Sequence, residues 1–172
     1  MRYIIHFAAA LTVCLSMSLA VAQDRVVVIP LNSAKELNHV VTVSATGGDF
    51  TNPVAAVNSI TDASAAKPYL VMIGPGVYTL TQTLVMKPFV TISGSGRNAT
   101  TLTGAISLGN ATNSAVISGA DNATLRGLTV ENTGGGTYSI ALLNYGSVPV
   151  IQDVTARASG GGGWDKRRCP QL

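Results

Sequence analysis

The chain says the same thing twice near its C-terminal end, and that repetition constrains the fold more than any other feature. Set Ala123-Thr124-Leu125-Arg126-Gly127-Leu128-Thr129-Val130 over Pro149-Val150-Ile151-Gln152-Asp153-Val154-Thr155-Ala156, and Leu125, Leu128 and Val130 fall on Ile151, Val154 and Ala156, 26 residues on. At the same offset Ala115-Val116-Ile117 falls on Ala141-Leu142-Leu143, Ser114 on Ile140, and Gly134-Gly135-Gly136 on Gly160-Gly161-Gly162. A period between 20 and 50 residues marks stacked structural units, each too small to bury its own apolar face and so dependent on its neighbours.

The segments before the echo fit such a stack. Val40 to Ser44 alternates as a strand and stops at Gly47-Gly48. Pro53 to Ala63 reads as the one helix: Thr51 or Asn52 can cap it, Pro53 suits its first position, and Val54, Val57 and Ile60 recur on one face. From Tyr69 onward short apolar runs end at turn residues. Leu70 to Ile73 stops at Gly74-Pro75-Gly76, Leu84 to Met86 at Lys87-Pro88, and Phe89 to Ile92 at Gly94-Ser95-Gly96. Leu102, Ala105 to Leu108 and Ala115 to Ile117 follow as further strand candidates. Strands this short, with no helices between them, exclude a doubly wound α/β domain and leave a sandwich, a barrel or a solenoid. The echo selects the solenoid, with the Pro53 helix laid across its first turn to close an open sheet edge.

Composition narrows the function classes. Arg2, the apolar run Ile4 to Leu19 and Ala20-Val21-Ala22 before Gln23 match a secretory signal peptide over 1–22. The rival reading, a membrane anchor, meets an apolar stretch interrupted by His6, Thr12, Ser16 and Ser18 and shorter than the ~20 residues a span needs. Thr12-Val13 before Cys14 are not the small residues of a lipid-modification site. A bacterial-type exported, periplasmic or cell-surface protein is therefore expected, with no stable membrane span once the leader is cleaved. Only Cys169 then remains, which leaves packing and hydrogen bonds to hold the fold. From Gln23 to Gly160, seven Lys and Arg balance seven Asp and Glu, so the basic pI belongs to Arg2 and the terminal Lys166-Arg167-Arg168. No nucleic-acid-binding face follows from it. The expected organisation is a strand and linker over 23–39, with Arg25 to Leu31 as its strand, a parallel solenoid over 40–163, and a tail over 164–172 that breaks the repeat. The tail shows neither periodicity nor apolar coverage, so a truncated or frame-shifted form of a longer solenoid is expected.

These residues resemble those of the right-handed parallel β-helix proteins of the pectin lyase-like superfamily. Gly47-Gly48-Asp49-Phe50 before a helix, Val71-Met72-Ile73-Gly74-Pro75-Gly76-Val77-Tyr78, Val90-Thr91-Ile92-Ser93-Gly94-Ser95-Gly96 and Thr100-Thr101-Leu102-Thr103-Gly104 are similar in layout to the start of pectinesterases. The resemblance implies an all-β, right-handed parallel β-helix with a short N-terminal capping helix. For pectinesterases it also implies paired aspartates, oxyanion-stabilising glutamines and a substrate-binding Arg-Trp pair in later coils, and none of these can be placed. Gln152-Asp153-Val154 invites comparison with the family's Gln-Asp-Thr but occupies the repeat position of Arg126-Gly127-Leu128. Trp164 lies outside the repeat.

The remaining motifs have plainer readings. Asp121, Glu131 and Asp153 could approach one another on stacked coils, and paired carboxylates serve glycoside hydrolysis, yet seven acids spread over this body make chance proximity the better explanation. Gly94-Ser95-Gly96-Arg97-Asn98-Ala99 has the look of a dinucleotide loop, but no helix pattern opens after it, and a turn between coils is expected. The sequons at Asn98, Asn110 and Asn122 suit turn geometry. His39 stands alone. No catalytic set, metal site or cofactor is assigned. The expectation is a non-catalytic scaffold or polysaccharide-binding module, with a pectinesterase- or pectate-lyase-like enzyme, or an inactive fragment of one, as the alternative.

Overall fold

A computed structural model describes residues 39–159. The proposed leader, the Arg25 to Leu31 strand, the third glycine run and the 164–172 tail lie outside the described residues. Within them ten strands and one helix follow one another: β1 (Val40–Val43), α1 (Pro53–Ser59), β2 (Tyr69–Ile73), β3 (Gly76–Thr79), β4 (Leu84–Val85), β5 (Val90–Gly94), β6 (Thr100–Gly104), β7 (Ala115–Ser118), β8 (Thr124–Asn132), β9 (Ile140–Leu143) and β10 (Val150–Ala158).

Every strand pair is parallel, and each strand pairs with one in the next coil. Three faces result. The first stacks β1, β2, β5 and the opening of β8; the second stacks β3, β6 and the close of β8; the third is β4, β7, β9. The first two merge because β8 turns a corner without breaking: Thr124 to Arg126 pair with β5, Thr129 to Asn132 pair with β6, and Gly127 between them has φ 65°. In β10 Asp153 holds the equivalent place with φ 52°. Glycine takes this left-handed bend freely, and Asp is among the few side-chain-bearing residues that tolerate it.

The apolar positions of successive coils stack inward. Val71, Ile92 and Leu125 form one ladder, Leu102 and Val130 a second, and Leu84 and Ile117 a third, all fully buried. Burying each contributes about 1.5–3 kcal/mol, and each coil gains only what its neighbours cover.

The 26-residue echo is real on one side and shifted on another. β10 pairs with β8 at that offset throughout. On the third face, however, Ile140 stacks on Ala115 and Leu142 on Ile117, an offset of 25 rather than the expected 26. The corner Asn144 to Pro149 carries one residue more than its counterpart Gly119 to Ala123, which absorbs the difference. Earlier coils are not 26 residues long: the first-face offsets are 21 from β2 to β5 and 33 from β5 to β8. Stacking constrains strands to be in register and leaves the loops free to vary.

Two boundaries also differ from expectation. The helix ends at Ser59 instead of Ala63, because Ile60 is already extended and its carbonyl, like that of Asn58, accepts from the Lys87 ammonium. Beyond it Asp62 is drawn to Lys67 and to the Tyr69 hydroxyl at 2.6 Å. The N-terminal reading resolves in favour of Asn52, whose Oδ1 accepts from Val54 N at 2.8 Å. Val54, Val57 and Ile60 are buried, and α1 packs against β1, β2 and β4, the first coil's strands and their neighbours. Ala105 to Leu108 is a loop rather than a strand; only Ile106 of the run is buried. β3, which the sequence reading does not single out as a strand, forms because Gly76 to Thr79 lies in register beneath Thr100 to Thr103.

Corners hold the buried polar groups. Asn132, fully buried, shares the two N–H groups of its Nδ2 among the carbonyls of Ile106 (2.8 Å), Ser114 (3.0 Å) and Ile140 (2.9 Å), while its Oδ1 accepts from Ile106 N and Gly134 N. One side chain thus ties the corner backbones of two coils. At another corner Lys87-Pro88-Phe89-Val90 is a turn closed by Val90 N to Lys87 O at 3.2 Å, with Phe89 at φ 61°. Proline suits its first central position, but the second favours glycine or asparagine. An aromatic residue there costs about 1–2 kcal/mol.

Replacing Asn132 by Ala should lower stability by at least about 3 kcal/mol, since several buried backbone groups lose their partner together. Asn132→Asp should rescue little, because it keeps the two accepted bonds and loses both N–H donors; chemical denaturation of the three proteins tests this. A second expectation concerns acid. Asp49 accepts from the Thr42 amide (2.8 Å) and hydroxyl (2.7 Å), and these bonds, the amide's foremost, hold its carboxyl below the usual range. Its contribution is complete above the unfolded carboxylate value of about 3.9 and is lost as pH falls through the lower folded value. Asp49→Asn should therefore show a shallower loss of melting temperature than wild type below about pH 4.

Candidate functional site

The outward side of the third face carries an open concavity. Around β4, Thr83 and Val85 face outward while Leu84 and Met86 are buried beneath them. The loop from Ala105 to Ser114 rises beside it, and the two enclose an open groove of about 450 Å³ whose walls include Gln82, Thr83, Val85, Ser107, Leu108 and Asn113. Val85 is 55% exposed and Leu108 57%. No Asp, Glu, His, Lys, Arg or Cys lines it. The lining supplies amides, hydroxyls and small apolar patches, which suits uncharged hydrogen bonding beside apolar contact.

The loop is a built structure. Ser114, fully buried, brings its hydroxyl against the carbonyls of Leu108 and Asn110 and accepts from Leu108 N at 2.8 Å. Asn110 Oδ1 accepts from Asn113 N and from the Thr112 hydroxyl, both at 2.9 Å. Thr83 donates to Ala115 O at 2.7 Å, joining floor to wall. The extra loop residues make this coil 33 residues long and raise the wall.

Two smaller hollows flank the stack. One, about 390 Å³, lies between the start of α1 and β3 and includes Asn52, Val77 and Tyr78. The other, about 380 Å³, is lined by Ile60, Thr61, Ala63, Lys87, Pro88 and Phe89.

The acids singled out in the sequence fall at separate places. Asp121 sits at the corner leading out of the third face and accepts from Val148 N at 2.8 Å. Glu131 lies on the second face between Thr103 and Arg157. Asp153 is at the corner between first and second faces, where its carboxylate meets Arg97 Nε at 2.7 Å; both side chains are more than half exposed. Gln152 stacks on Arg126, as the repeat register requires. Among the described residues no three His, Cys, Asp or Glu gather closely enough to hold a metal ion.

The Gly94 to Ala99 loop is a corner. Gly96 N donates to Gly127 O, Thr100 N returns to Gly96 O, and β6 follows at once, so no helix N-terminus faces it. Thr129 reaches across to Arg97 O at 2.7 Å. Asn122 adopts φ 56°, and Asn110 holds its turn through the side chain, so two of the three sequon asparagines serve backbone geometry. His39 meets the Tyr69 ring edge-on at 4.8 Å, next to Lys67 and Asp62. Mutual attraction lowers the Asp62 carboxyl and raises the Lys67 ammonium from their ordinary values. Gln82, Asn113 and Phe89 were not legible as site residues from the sequence; the one available hint was Lys87-Pro88-Phe89, a turn that puts an aromatic where glycine is expected.

No protein-family model matches the chain, and no curated protein does. Solved structures do match. Pectin methylesterase PemA from Erwinia chrysanthemi superposes with a TM-score of 0.57 at 21% identity, over 74% of this chain and 47% of the enzyme. Pectin methylesterase from carrot gives 0.59 at 23% identity, over 71% and 40%. A pectin methylesterase in complex with a hexasaccharide gives 0.58 at 20% identity, over 72% and 46%. The chain spans less than half the length of each. Parallel coils, three faces and this likeness together establish the architecture as a right-handed parallel β-helix of the pectin lyase-like fold.

Proposed function

We propose that this chain is an exported β-helix scaffold that binds polysaccharide along the groove outside its third face. The observation that carries the reading is the lining of that groove. Gln82 and Asn113 offer amides able both to donate and to accept, Thr83 and Ser107 offer hydroxyls, and Val85 and Leu108 offer apolar surface to the C–H faces of sugar rings. A groove open along its length suits a polymer, and the absence of charge from its walls favours a neutral or esterified chain over a polyanion. Pectin methylesterases of the same fold bind hexasaccharides, which supports a glycan as the occupant. The leader-like 1–22 segment supports export.

The second reading is a pectinesterase-like carbohydrate-active enzyme. The solved neighbours favour it; the assignment of Asp153 to an exposed ion pair with Arg97 favours the scaffold.

Highly methyl-esterified pectin should bind the purified chain in affinity electrophoresis or calorimetry. The double variant Gln82→Ala/Asn113→Ala should bind about 5- to 150-fold more weakly, the loss of two hydrogen bonds of about 0.5–1.5 kcal/mol each, with the melting temperature unchanged. The same preparations should release no methanol; release abolished by Asp153→Ala would establish the enzyme reading instead. Expressed from its own start in a secreting bacterium, the exported protein should begin at Gln23 on N-terminal sequencing.

A further inference from the structure

Phe89 occupies a backbone conformation that the chain could have filled without strain. Its φ of 61° is left-handed, and the residue stacked at the same corner of the next coil, accepting from Phe89 N at 3.0 Å, is Asn122 with φ 56°. Asparagine and glycine suit that place, whereas a bulky aromatic is costly there. Burial does not supply the compensation: the ring is absent from the aliphatic core and from the residues packed against it, and it stays half-buried on the surface. Three backbone bonds hold it nevertheless, Phe89 N to Asn122 O, Tyr69 N to Phe89 O and Val90 N to Lys87 O. A strained residue with no packing return is the kind that marks a functional position.

What the ring faces indicates the use. It lines the hollow of about 380 Å³ with Pro88, Ile60, Ala63, Thr61 and Lys87. The Lys87 ammonium is held in place by the carbonyls of Asn58 and Ile60 at the end of α1. Ring, proline and aliphatic side chains form an apolar floor, while the Thr61 hydroxyl and the ammonium provide polar partners. That pairing suits a sugar ring, which has apolar C–H faces and a polar rim. The hollow and the groove described above share no lining residue, but one stretch of chain runs from the first to the second. Thr83 and Val85 project outward around β4, and Lys87 follows on the same side of the chain, so the strand flooring the groove leads to Phe89. From Gln82 to Phe89 is at most about 23 Å of extended chain.

We propose that Phe89 is a carbohydrate-binding platform, seating one sugar ring of the polysaccharide whose track is the third-face groove. This rests on the polysaccharide-binding reading and adds to it a second contact point at the α1 end of the stack. Strain and binding separate in the test. Phe89→Gly should raise the melting temperature by about 2–4 °C through relief of strain, while weakening binding of highly methyl-esterified pectin about five- to tenfold. Phe89→Asn should behave like Phe89→Gly, and Phe89→Tyr should bind as wild type does. A Phe89→Gly protein that binds as tightly as wild type, or one that melts several degrees lower, overturns the proposal. If Gln82→Ala/Asn113→Ala loses affinity while Phe89→Gly keeps it, this inference alone fails; if wild type binds no pectin, it falls together with the groove reading.

Discussion

Each backbone donor and acceptor in a parallel coil points at the coil above or below, so no coil of this protein can satisfy itself. In-register stacking is the constraint from which the other features follow. It fixes Val71 over Ile92 over Leu125, and with them which residues face inward. It keeps the strands of each face in step and forces the irregularity into the corners. The same constraint explains why coil length varies from 21 to 33 residues without loss of the stack: a loop may grow so long as the chain returns to register.

Corners must therefore meet the polar demands that the ladders cannot. Asn132 does so from inside, joining Ile106, Ser114, Gly134 and Ile140 across two coils. Ser114 does it for the loop that walls the groove. Gly127 and Asp153 bend continuous strands around the edge. The groove is thus a consequence of corner chemistry, because the loop that builds it is an insertion at one corner pinned by one buried hydroxyl. Lys87 plays a comparable part at the other end, where its ammonium closes α1 and stands beside the strained Phe89.

Much of the fold was legible in residue order. The capped helix with Val54, Val57 and Ile60 inward, the short strands ending at glycine or proline, and the pairing of β8 with β10 all follow from local pattern, and the structure has them. Two readings failed for one reason. Ala105 to Leu108 has the apolar content of a strand but no neighbour in register, and Ala141 belongs one residue away from where the echo places it. Strand identity here is decided by what lies in the adjacent coil, a relation between residues 21 to 33 positions apart. Of the candidate site almost nothing was legible, since Gln82 and Asn113 are ordinary polar residues until a loop and a strand bring them to one groove.

The sequence by itself determined that this chain stacks, because a repeated apolar pattern with glycine punctuation has no other way to bury its aliphatic side chains. It also determined that charge would not dominate the coils, with acids and bases in balance between Gln23 and Gly160. Tertiary structure alone decided the register on each face, the corner that Asn132 would hold, the groove and the exposure of Phe89. Those depend on loop lengths closing against neighbouring coils, and a distance set by packing is not written in the pattern of any one segment.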